Sequence, residues 1–178
     1  MQLSRAILST PIGDMLALDS GDGLCALEFT GPQRLTRLET RLRRYFPSHE
    51  ILERETPAIA RTRRWLDAYF AGTSADISEL RLDMRGAAFE QRVWTALRAI
   101  PPGQTTSYGA IAKALGSAGA SRAVGMAIGA NPIAIIVPCH RVIGASGSLT
   151  GYGGGLDRKT WLIDHERRWR NEPQASLF

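Results

Sequence analysis

Residues that bind metals or cross-link chains are scarce in this sequence. It contains two cysteines, Cys25 and Cys139, and three histidines among 178 residues. Two cysteines make a poor metal site, and a disulfide between them is not expected in a reducing compartment. We therefore expect no metal site.

Long hydrophobic runs are also absent. No run approaches the ~18 to 20 apolar residues that a membrane-spanning helix needs. Residues 1–15 have too short an apolar core, and the wrong flanks, for a signal peptide. These absences predict a cytoplasmic protein that does not bind a membrane. With 178 residues, the chain can form one domain or two small ones.

Lysine is nearly missing, since only Lys113 and Lys159 occur and arginine supplies the rest of the positive charge. The formal net charge is +5. A basic chain favours polyanionic partners, with nucleic acid first among them. The alternative is a solvated arginine surface without a partner, and charge alone does not decide between the two.

The most informative stretch is the apolar run Ile133–Val137, which is followed at once by Pro138, Cys139, His140 and Arg141. A run rich in β-branched residues predicts a buried strand or extended segment, and Pro138 ends any regular ladder there. The thiol is thus placed beside a side chain that titrates near neutral pH. Ionisable neighbours favour a reactive cysteine over an inert one.

Residues 1–85 predict a small domain of strands and helices. Cys25 lies in a predicted strand, where we expect it to pack in the core. The predicted elements are hairpin strands within residues 1–30, a helix from Pro32 to Phe46, a helix from Ala58 to Phe70, and a short strand over Ile77–Leu82. The sequence Arg85-Gly86-Ala87 marks the expected domain boundary.

Residues 86–170 predict a helical domain, and residues 171–178 a flexible tail. After a helix with Phe89 to Ile100 on its stripe, helices over Tyr108–Leu115 and Ala118–Ile128 flank a break at Gly116-Ser117. This is a helix-turn-helix arrangement. A last helix is predicted over Leu156–Arg168.

The second helix of this pair has a face of small residues. They are Ala120, Ala123, Gly125 and Ala127, with Ser121 and Arg122 as the polar members. Such a face predicts either tight packing on another helix or close approach to a narrow DNA groove, with Arg122 reaching into it.

The segment Thr150–Gly155 is a glycine-rich loop. Glycines there allow backbone N–H groups to approach a ligand closely. The spacing fits neither the phosphate-binding loop nor the dinucleotide fingerprint, so we expect no nucleotide cofactor and no other cofactor.

A nucleophilic Cys139 needs a base, and the adjacent His140 must reach it through a turn or a bridging water. A carboxylate should orient the imidazole, as in the Ser-His-Asp arrangement. Asp157, Asp164 and Glu166 are equal candidates on the residues alone. Two function classes remain open: a Cys-His-acid hydrolase, or a DNA-acting protein whose thiol accepts a group from the nucleic acid. The helix-turn-helix and the basic balance favour the second.

The residues around Cys139 resemble the active-site signature of the O6-alkylguanine-DNA alkyltransferases (methylated-DNA–protein-cysteine methyltransferases). The signature is Pro138–Val142 with Asn131-Pro132 ahead of it. The agreement extends through Ser107-Tyr108, Ser121–Gly125, Tyr152–Leu156 and His165-Glu166. It is specific over residues 86–168 and looser over residues 1–85. The resemblance implies an α/β (α+β) fold, with a ribonuclease H-like sheet-and-helix domain followed by a helical domain of winged-helix type.

The resemblance also implies a mechanism of direct DNA repair. The helix with Ala120, Ser121, Ala123 and Gly125 would lie in the minor groove, the damaged guanine would flip out, and Arg122 would fill its place. The partner is then double-stranded DNA containing O6-alkylguanine, with O4-alkylthymine as a further candidate. The protein is expected to be a monomer in solution, and cooperative binding to DNA is left open.

Within the pocket, the resemblance assigns each chemical step to a residue. Cys139 would attack the alkyl carbon, His140 would take the thiol proton through a water, and Glu166 would orient His140. Tyr108 would donate to guanine N3, and Asn131 would brace the connector after the helix.

The remaining pocket residues follow in the same way. Carbonyls of Cys139 and Val142 would accept from the exocyclic amine, Tyr152 would form a wall, and Gly153 and Gly154 would line the pocket.

The sequence departs from some relatives at two points. Position 153 is glycine where some members carry serine, so the backbone N–H alone would serve guanine O6. His49 alone cannot form the zinc site that some members have. In relatives with tryptophan at the cysteine position, lesions are bound without transfer, and Cys139 argues against that class. The thioether product is stable, so each molecule is expected to act once.

Overall fold

The computed structural model describes residues 1–73 and 77–171. The N-terminal half runs through β1 (Gln2–Leu8), β2 (Met15–Asp19), β3 (Leu24–Phe29), α1 (Pro32–Tyr45), β4 (Glu50–Glu53) and α2 (Pro57–Phe70). The C-terminal half runs through α3 (Ala88–Arg98), β5 (Thr106–Ser107), α4 (Tyr108–Ala114), α5 (Ser121–Gly129), β6 (Val142–Ile143) and α6 (Leu156–Asn171). The predicted helices are thus confirmed. Most of the predicted tail, residues 172–178, lies outside the described residues.

Strands β1 to β4 form one sheet in the order β3-β2-β1-β4. The hairpin pairs are antiparallel, and β4 lies parallel to β1 because α1 crosses over between β3 and β4. Side chains alternate across the sheet, as the period of two requires. Along β2, Leu16 and Leu18 face a smaller core with α1, whereas Met15 and Ala17 face a larger one.

The larger core joins the two halves of the molecule. It buries the second face of the sheet against α2 and against the C-terminal helices. Its members include Leu27, Phe29, Leu66, Tyr69, Trp94, Val124, Ile135 and Leu162. The halves are also tied through the backbone, because Leu27 of β3 donates its N–H to Pro132 O (2.9 Å) and accepts from Ala134 N (2.8 Å). Strand β3 therefore fixes the segment that leads to Cys139.

The segment Ile133–Val137 is buried, but it is not extended. After one bridge between Ile133 and Leu27, the chain turns, and Val137 N donates to Ile133 O at 3.0 Å. Ile135 lies in the left-handed region with φ 69°, which costs a β-branched residue about 1 to 3 kcal/mol. The prediction of a strand here was wrong, because burial of every side chain in a tight turn overrides the strand preference of β-branched residues.

The predicted strand over Ile77–Leu82 was also wrong. Residues 78–79 form a turn, and only Leu82 makes a bridge, to Leu24. Two backbone hydrogen bonds form this bridge: Leu24 N donates to Arg81 O and Asp83 N donates to Leu24 O, both at 2.9 Å. The chain touches the sheet at one point and then leaves it for α3.

Helices α4 and α5 pack against each other and form the helix-turn-helix. Helix α5 begins at Ser121, later than the predicted Ala118, since Gly119 takes a left-handed conformation with φ 91°. Across residues 1–73 and 77–171, no helix is long and apolar enough to cross a membrane.

Candidate active site

Cys139 lines a cavity of about 700 Å³ that lies between the two halves of the molecule. It is the first residue of a 3₁₀ turn, Cys139–Arg141, that follows Pro138. One wall is formed by Tyr108 and by Ser121, Arg122 and Gly125, at the start and on one face of α5.

The opposite walls come from the glycine-rich loop and from the N-terminal half. The loop contributes Thr150 to Gly154, and β3 and α1 contribute Glu28 and Arg34. A substrate in this cavity would therefore touch both halves of the protein.

His140 is fully buried behind Cys139, and its Nε2 lies 2.8 Å from Oε1 of Glu166. Since an ionised carboxylate only accepts, Nε2 must carry the hydrogen, which leaves a lone pair on Nδ1. Among the described residues, Nδ1 has no hydrogen-bond partner. Burial lowers the pKa of His140, and pairing with Glu166 offsets this only in part. His140 is thus a neutral base at neutral pH.

Glu166 is the carboxylate that the structure brings to His140. Asp157 and Asp164 are exposed instead. Glu166 also accepts from Arg141 Nε (2.9 Å) and Nη2 (2.8 Å). Burial opposes ionisation, but the bonds and charges of His140 and Arg141 outweigh it and hold the pKa of Glu166 well below its usual range.

Two further donors complete the Glu166 site. Gly103 N donates to Oε2 at 2.9 Å, and the Tyr69 hydroxyl donates to Oε1 at 2.7 Å. Tyr69 is buried and belongs to α2 of the N-terminal half. Oε1 is thus shared by Tyr69, Arg141 and His140.

Asn131 fixes the turn that carries Cys139. Its Nδ2 donates to Val137 O (2.8 Å), and its Oδ1 accepts from Ile133 N (3.0 Å). Burial raises the pKa of the Cys139 thiol, and a hydrogen bond with Asn131 lowers it only in part. The thiol is therefore protonated at neutral pH and needs a base to react.

Helix α5 presents part of the predicted small-residue face to the outside. Arg122 is exposed, and Ala120, Ser121, Ala123 and Gly125 are partly exposed.

Ala127 does not belong to this face, so that part of the interpretation was wrong. It is buried, and its carbonyl accepts from the Trp94 indole at 2.8 Å. The residue lies on the side of α5 that packs on α3. Because alanine suits both a helix contact and a groove contact, composition could not separate the two sides.

The glycine-rich loop is held by a buried ammonium group. Lys159 Nζ donates to the carbonyls of Val142 (2.6 Å) and Thr150 (2.7 Å). Val142 is fully buried. Its carbonyl, which was predicted to accept from the guanine amine, is already bonded to Lys159. The Tyr108 hydroxyl donates to Thr150 O at 3.1 Å.

Tyr152 forms part of the cavity wall, and its buried hydroxyl has no partner among the described residues. A Cβ added to Gly154 would meet Tyr152 at 2.6 Å and Phe29 at 2.9 Å. A Cβ on Gly153 would collide with the guanidinium of Arg34. Both glycines are thus required for close packing.

Sequence reasoning missed the contributions of Glu28, Arg34, Tyr69 and Lys159 to this site. Lys159 carried one available signal, because it is one of two lysines in an arginine-rich chain. The other three lie outside any motif in the half with the looser resemblance. Among the described residues, no group of three His, Cys, Asp or Glu side chains could hold a metal ion.

Comparison with known proteins covers both halves of the chain. The model of the 6-O-methylguanine DNA methyltransferase DNA-binding domain matches residues 88–168, and that of its ribonuclease-like domain matches residues 3–84. The methylated-DNA–protein-cysteine methyltransferase of Mycolicibacterium paratuberculosis is 52% identical over 151 residues, covering 85% of this chain and 90% of that protein. The protein of the same name from Salmonella typhimurium is 45% identical over 169 residues, covering 93% and 96%.

Solved structures agree. Mycobacterium tuberculosis OGT in complex with DNA has a TM-score of 0.77 and 42% identity, covering 95% of this chain and 94% of that one. The O6-methylguanine-DNA methyltransferase of the archaeon Pyrococcus kodakaraensis has a TM-score of 0.69 and 25% identity, covering 92% and 98%. The chain therefore belongs to the 6-O-methylguanine DNA methyltransferase family.

Proposed function

We propose that this protein repairs DNA by moving the alkyl group of O6-alkylguanine onto its own Cys139. The observation that carries the proposal is the line from Cys139 through the adjacent His140 to Glu166, at the base of a cavity bordered by a DNA-binding helix. A protonated thiol beside a neutral buried base fits a nucleophile that is activated only when substrate is present.

DNA binding is assigned to α5. Its partly exposed small residues, Ala120, Ser121, Ala123 and Gly125, suit the minor groove. The target guanine leaves the stack and enters the cavity, and the exposed Arg122 takes its place. The partner is double-stranded DNA, with O4-alkylthymine as a second candidate lesion.

The transfer is a single displacement. The Cys139 proton passes through a water to His140 Nδ1, and the thiolate forms a bond to the alkyl carbon as the carbon–O6 bond breaks. Glu166 holds the imidazolium that results. The Tyr108 hydroxyl gives up its bond to Thr150 and protonates guanine N3, so that neutral guanine leaves.

The pocket walls select the base. Tyr152 covers one side, while Gly153 and Gly154 allow the loop backbone to approach and the Gly153 N–H faces O6. The Cys139 carbonyl accepts from the exocyclic amine of guanine. The Val142 carbonyl would also accept from this amine only if Lys159 shared it. Asn131 keeps the turn that carries Cys139 in place.

The thioether cannot be hydrolysed by these groups, so each molecule acts once. The organisation that fits this function is a structural domain over residues 1–85 and a DNA-binding transfer domain over residues 86–170. We assign the protein to the cytoplasm, as a monomer in solution.

Intact-mass measurement after incubation with duplex DNA containing O6-methylguanine tests the proposal. We expect a gain of about 14 Da, one methyl replacing one hydrogen, on Cys139. The Cys139→Ala variant should gain nothing. Lesion binding without any adduct on the wild type would instead make the protein a lesion sensor, and repeated turnover of a thioester would make it a hydrolase.

Arg122→Ala tests the role of α5. We expect a slower transfer from duplex DNA and an unchanged transfer from the free base O6-benzylguanine, because only the duplex needs a side chain in the stack. The two rates are measured by single-turnover kinetics. Equal losses on both substrates would remove Arg122 from this role.

A further inference from the structure

The glycine at position 153 leaves room that a side chain from the other half of the molecule fills. Three guanidinium atoms of Arg34, Nη1, Cζ and Nε, are the nearest neighbours of the place where a Cβ on Gly153 would stand. Arg34 belongs to the first turns of α1 and reaches across to the glycine-rich loop. Arg34 thus lines the same cavity as Cys139.

A buried carboxylate holds Arg34 in this position. The Arg34 Nη2 donates to Glu28, and their side chains are only 14% and 5% exposed. Glu28 is fixed in turn by Phe29 N, which donates to its Oε1 at 2.9 Å. An arginine bonded at one end to a fixed carboxylate is an oriented donor.

The guanidinium of Arg34 still has donor capacity. Arg34 Nε is buried and has no hydrogen-bond partner among the described residues. A buried donor without a partner is costly, and a catalytic role is one of the explanations for such a group. In this cavity the ligand is the flipped guanine, whose O6 faces Gly153 in the proposed function.

The chemistry at O6 calls for such a donor. As the carbon–O6 bond breaks, negative charge develops on the guanine before N3 is protonated. A positively charged donor aimed at that oxygen stabilises the transition state more than the ground state. The backbone N–H of Gly153 carries no net charge, so Arg34 supplies the positively charged donor that the loop lacks.

We propose that Arg34 is a substrate-contacting catalytic residue that donates a hydrogen bond to O6 of the flipped guanine, and that Glu28 is its positioning residue. This inference rests on the proposed function. It assigns to the N-terminal half a direct part in alkyl transfer. It also accounts for glycine at position 153, since a side chain there would displace the donor.

The test compares single-turnover rates of Cys139 alkylation by O6-benzylguanine and by O6-methylguanine in duplex DNA. In Arg34→Met, which keeps length and loses the donor, we expect both rates to fall by about 10²-fold, the usual effect of removing one such donor. The Kd for unmodified duplex should stay close to that of the wild type. The matched control is Arg43→Met, an exposed position on the same helix, which should transfer at the wild-type rate.

Compensation separates a chemical role from a packing role. Gly153→Ser alone should be slow because its side chain collides with Arg34. The double variant Arg34→Met/Gly153→Ser places a hydroxyl in the vacated space, and we expect it to recover much of the lost rate. Thermal unfolding of each variant checks that the fold is retained.

Three results would overturn the inference. They are a wild-type rate in Arg34→Met, a loss confined to duplex DNA and explained by its Kd, and a loss on the free base that the serine does not restore. The second result would make Arg34 a phosphate contact, and the third a packing residue. None of these results resembles failure of the proposed function itself, in which the wild type would form no adduct.

Discussion

The part of the molecule that the structure describes has two largely buried Arg–Glu pairs, Arg141–Glu166 in the C-terminal half and Arg34–Glu28 in the N-terminal half, and they differ in how many hydrogen bonds the carboxylate accepts. In the C-terminal half, Glu166 accepts five hydrogen bonds from the described residues, including two from Arg141. In the N-terminal half, Glu28 accepts from Arg34 and from Phe29 N.

The difference shows in the charge of each carboxyl group. The bonds of Glu166 outweigh its burial and depress its pKa, whereas burial raises the pKa of Glu28 because Arg34 and the Phe29 amide offset it only in part. Glu166, with five hydrogen bonds, is a fixed part of the scaffold. Among the described residues Glu28 accepts fewer, and its partner Arg34 keeps a donor free for a substrate.

The largest expected effect is that of Glu166→Gln. Glutamine cannot accept all five bonds, and Arg141 is left as a buried charge without its counter-ion. Breaking such a pair costs about 3 to 5 kcal/mol of unfolding free energy. Urea unfolding at neutral pH measures this, and alkyl transfer should fall with it because His140 loses its orientation.

Glu28→Gln is the matched control for that experiment. It should cost clearly less, since the native carboxylate is itself destabilised by burial. Equal losses for the two variants would contradict the comparison.

The pH dependence of stability should differ in sign between the two sites. Glu166 has a folded pKa below its ordinary 4.5, so its contribution is present above that value and is lost as pH falls. Glu28 has a folded pKa above 4.5, so it favours the fold at low pH and loses this as pH rises.

Between about pH 4 and about pH 7, the unfolding free energy of Glu166→Gln should therefore fall relative to that of the wild type as pH rises. That of Glu28→Gln should rise relative to the wild type over the same range. Urea midpoints across this range measure both slopes. Parallel slopes would show that the two carboxyl groups ionise alike.

A smaller effect is expected from Tyr69→Phe, which removes one donor from the oxygen that His140 also uses. The unfolding free energy should fall by about 1 kcal/mol. With fewer donors, Glu166 attracts the imidazole proton more strongly, so the pKa of His140 rises.

The readout is the pH profile of alkylation by O6-benzylguanine, which needs neutral His140. Its acid limb should move to higher pH in Tyr69→Phe. Tyr45→Phe, on α1 beside Arg41 and Arg44, should leave the limb in place. If the acid limb of the Tyr69→Phe profile does not move, the Tyr69 hydroxyl does not affect the basicity of Glu166.

The smallest effect concerns the second thiol. Burial, with help from Asp83 and Asp19, raises the pKa of Cys25 to about 12, so it should resist thiol reagents in the folded protein. Cys25→Ala should leave alkyl transfer unchanged. Mass mapping after limited labelling would find the label on Cys139, and modification of Cys25 at a similar rate would contradict this.

What the sequence predicted is local, and what it missed joins distant elements. Apolar stripes, capping residues and turn residues in the sequence predicted the helices, and the motif predicted Cys139 and His140. The residues alone left three acids open, the resemblance selected Glu166, and the geometry places that residue on His140. Arg34 and Tyr69 carry no local signal because their roles depend on how the halves pack.

The errors have the same origin. Ile133–Val137 has the composition of a strand, but the side chains are buried in a turn that β3 secures. Ala127 is small enough for a groove contact, but its position around the α5 axis places it on the side that faces Trp94. Tertiary packing decided both, and neither is visible in a short window of sequence.

The two backbone bonds from Leu27 to Pro132 and Ala134 have a consequence for the order of folding. They join a strand near the start of the chain to a turn in the C-terminal half, and Tyr69 meets Glu166 across 97 residues. Contacts of such long range form late, because loop closure must come first. We therefore expect a newly made chain to carry an inactive thiol until its last helix has docked. If each Cys139 reacts only once, as proposed, this order of folding keeps the thiol unreactive until the site around it has formed.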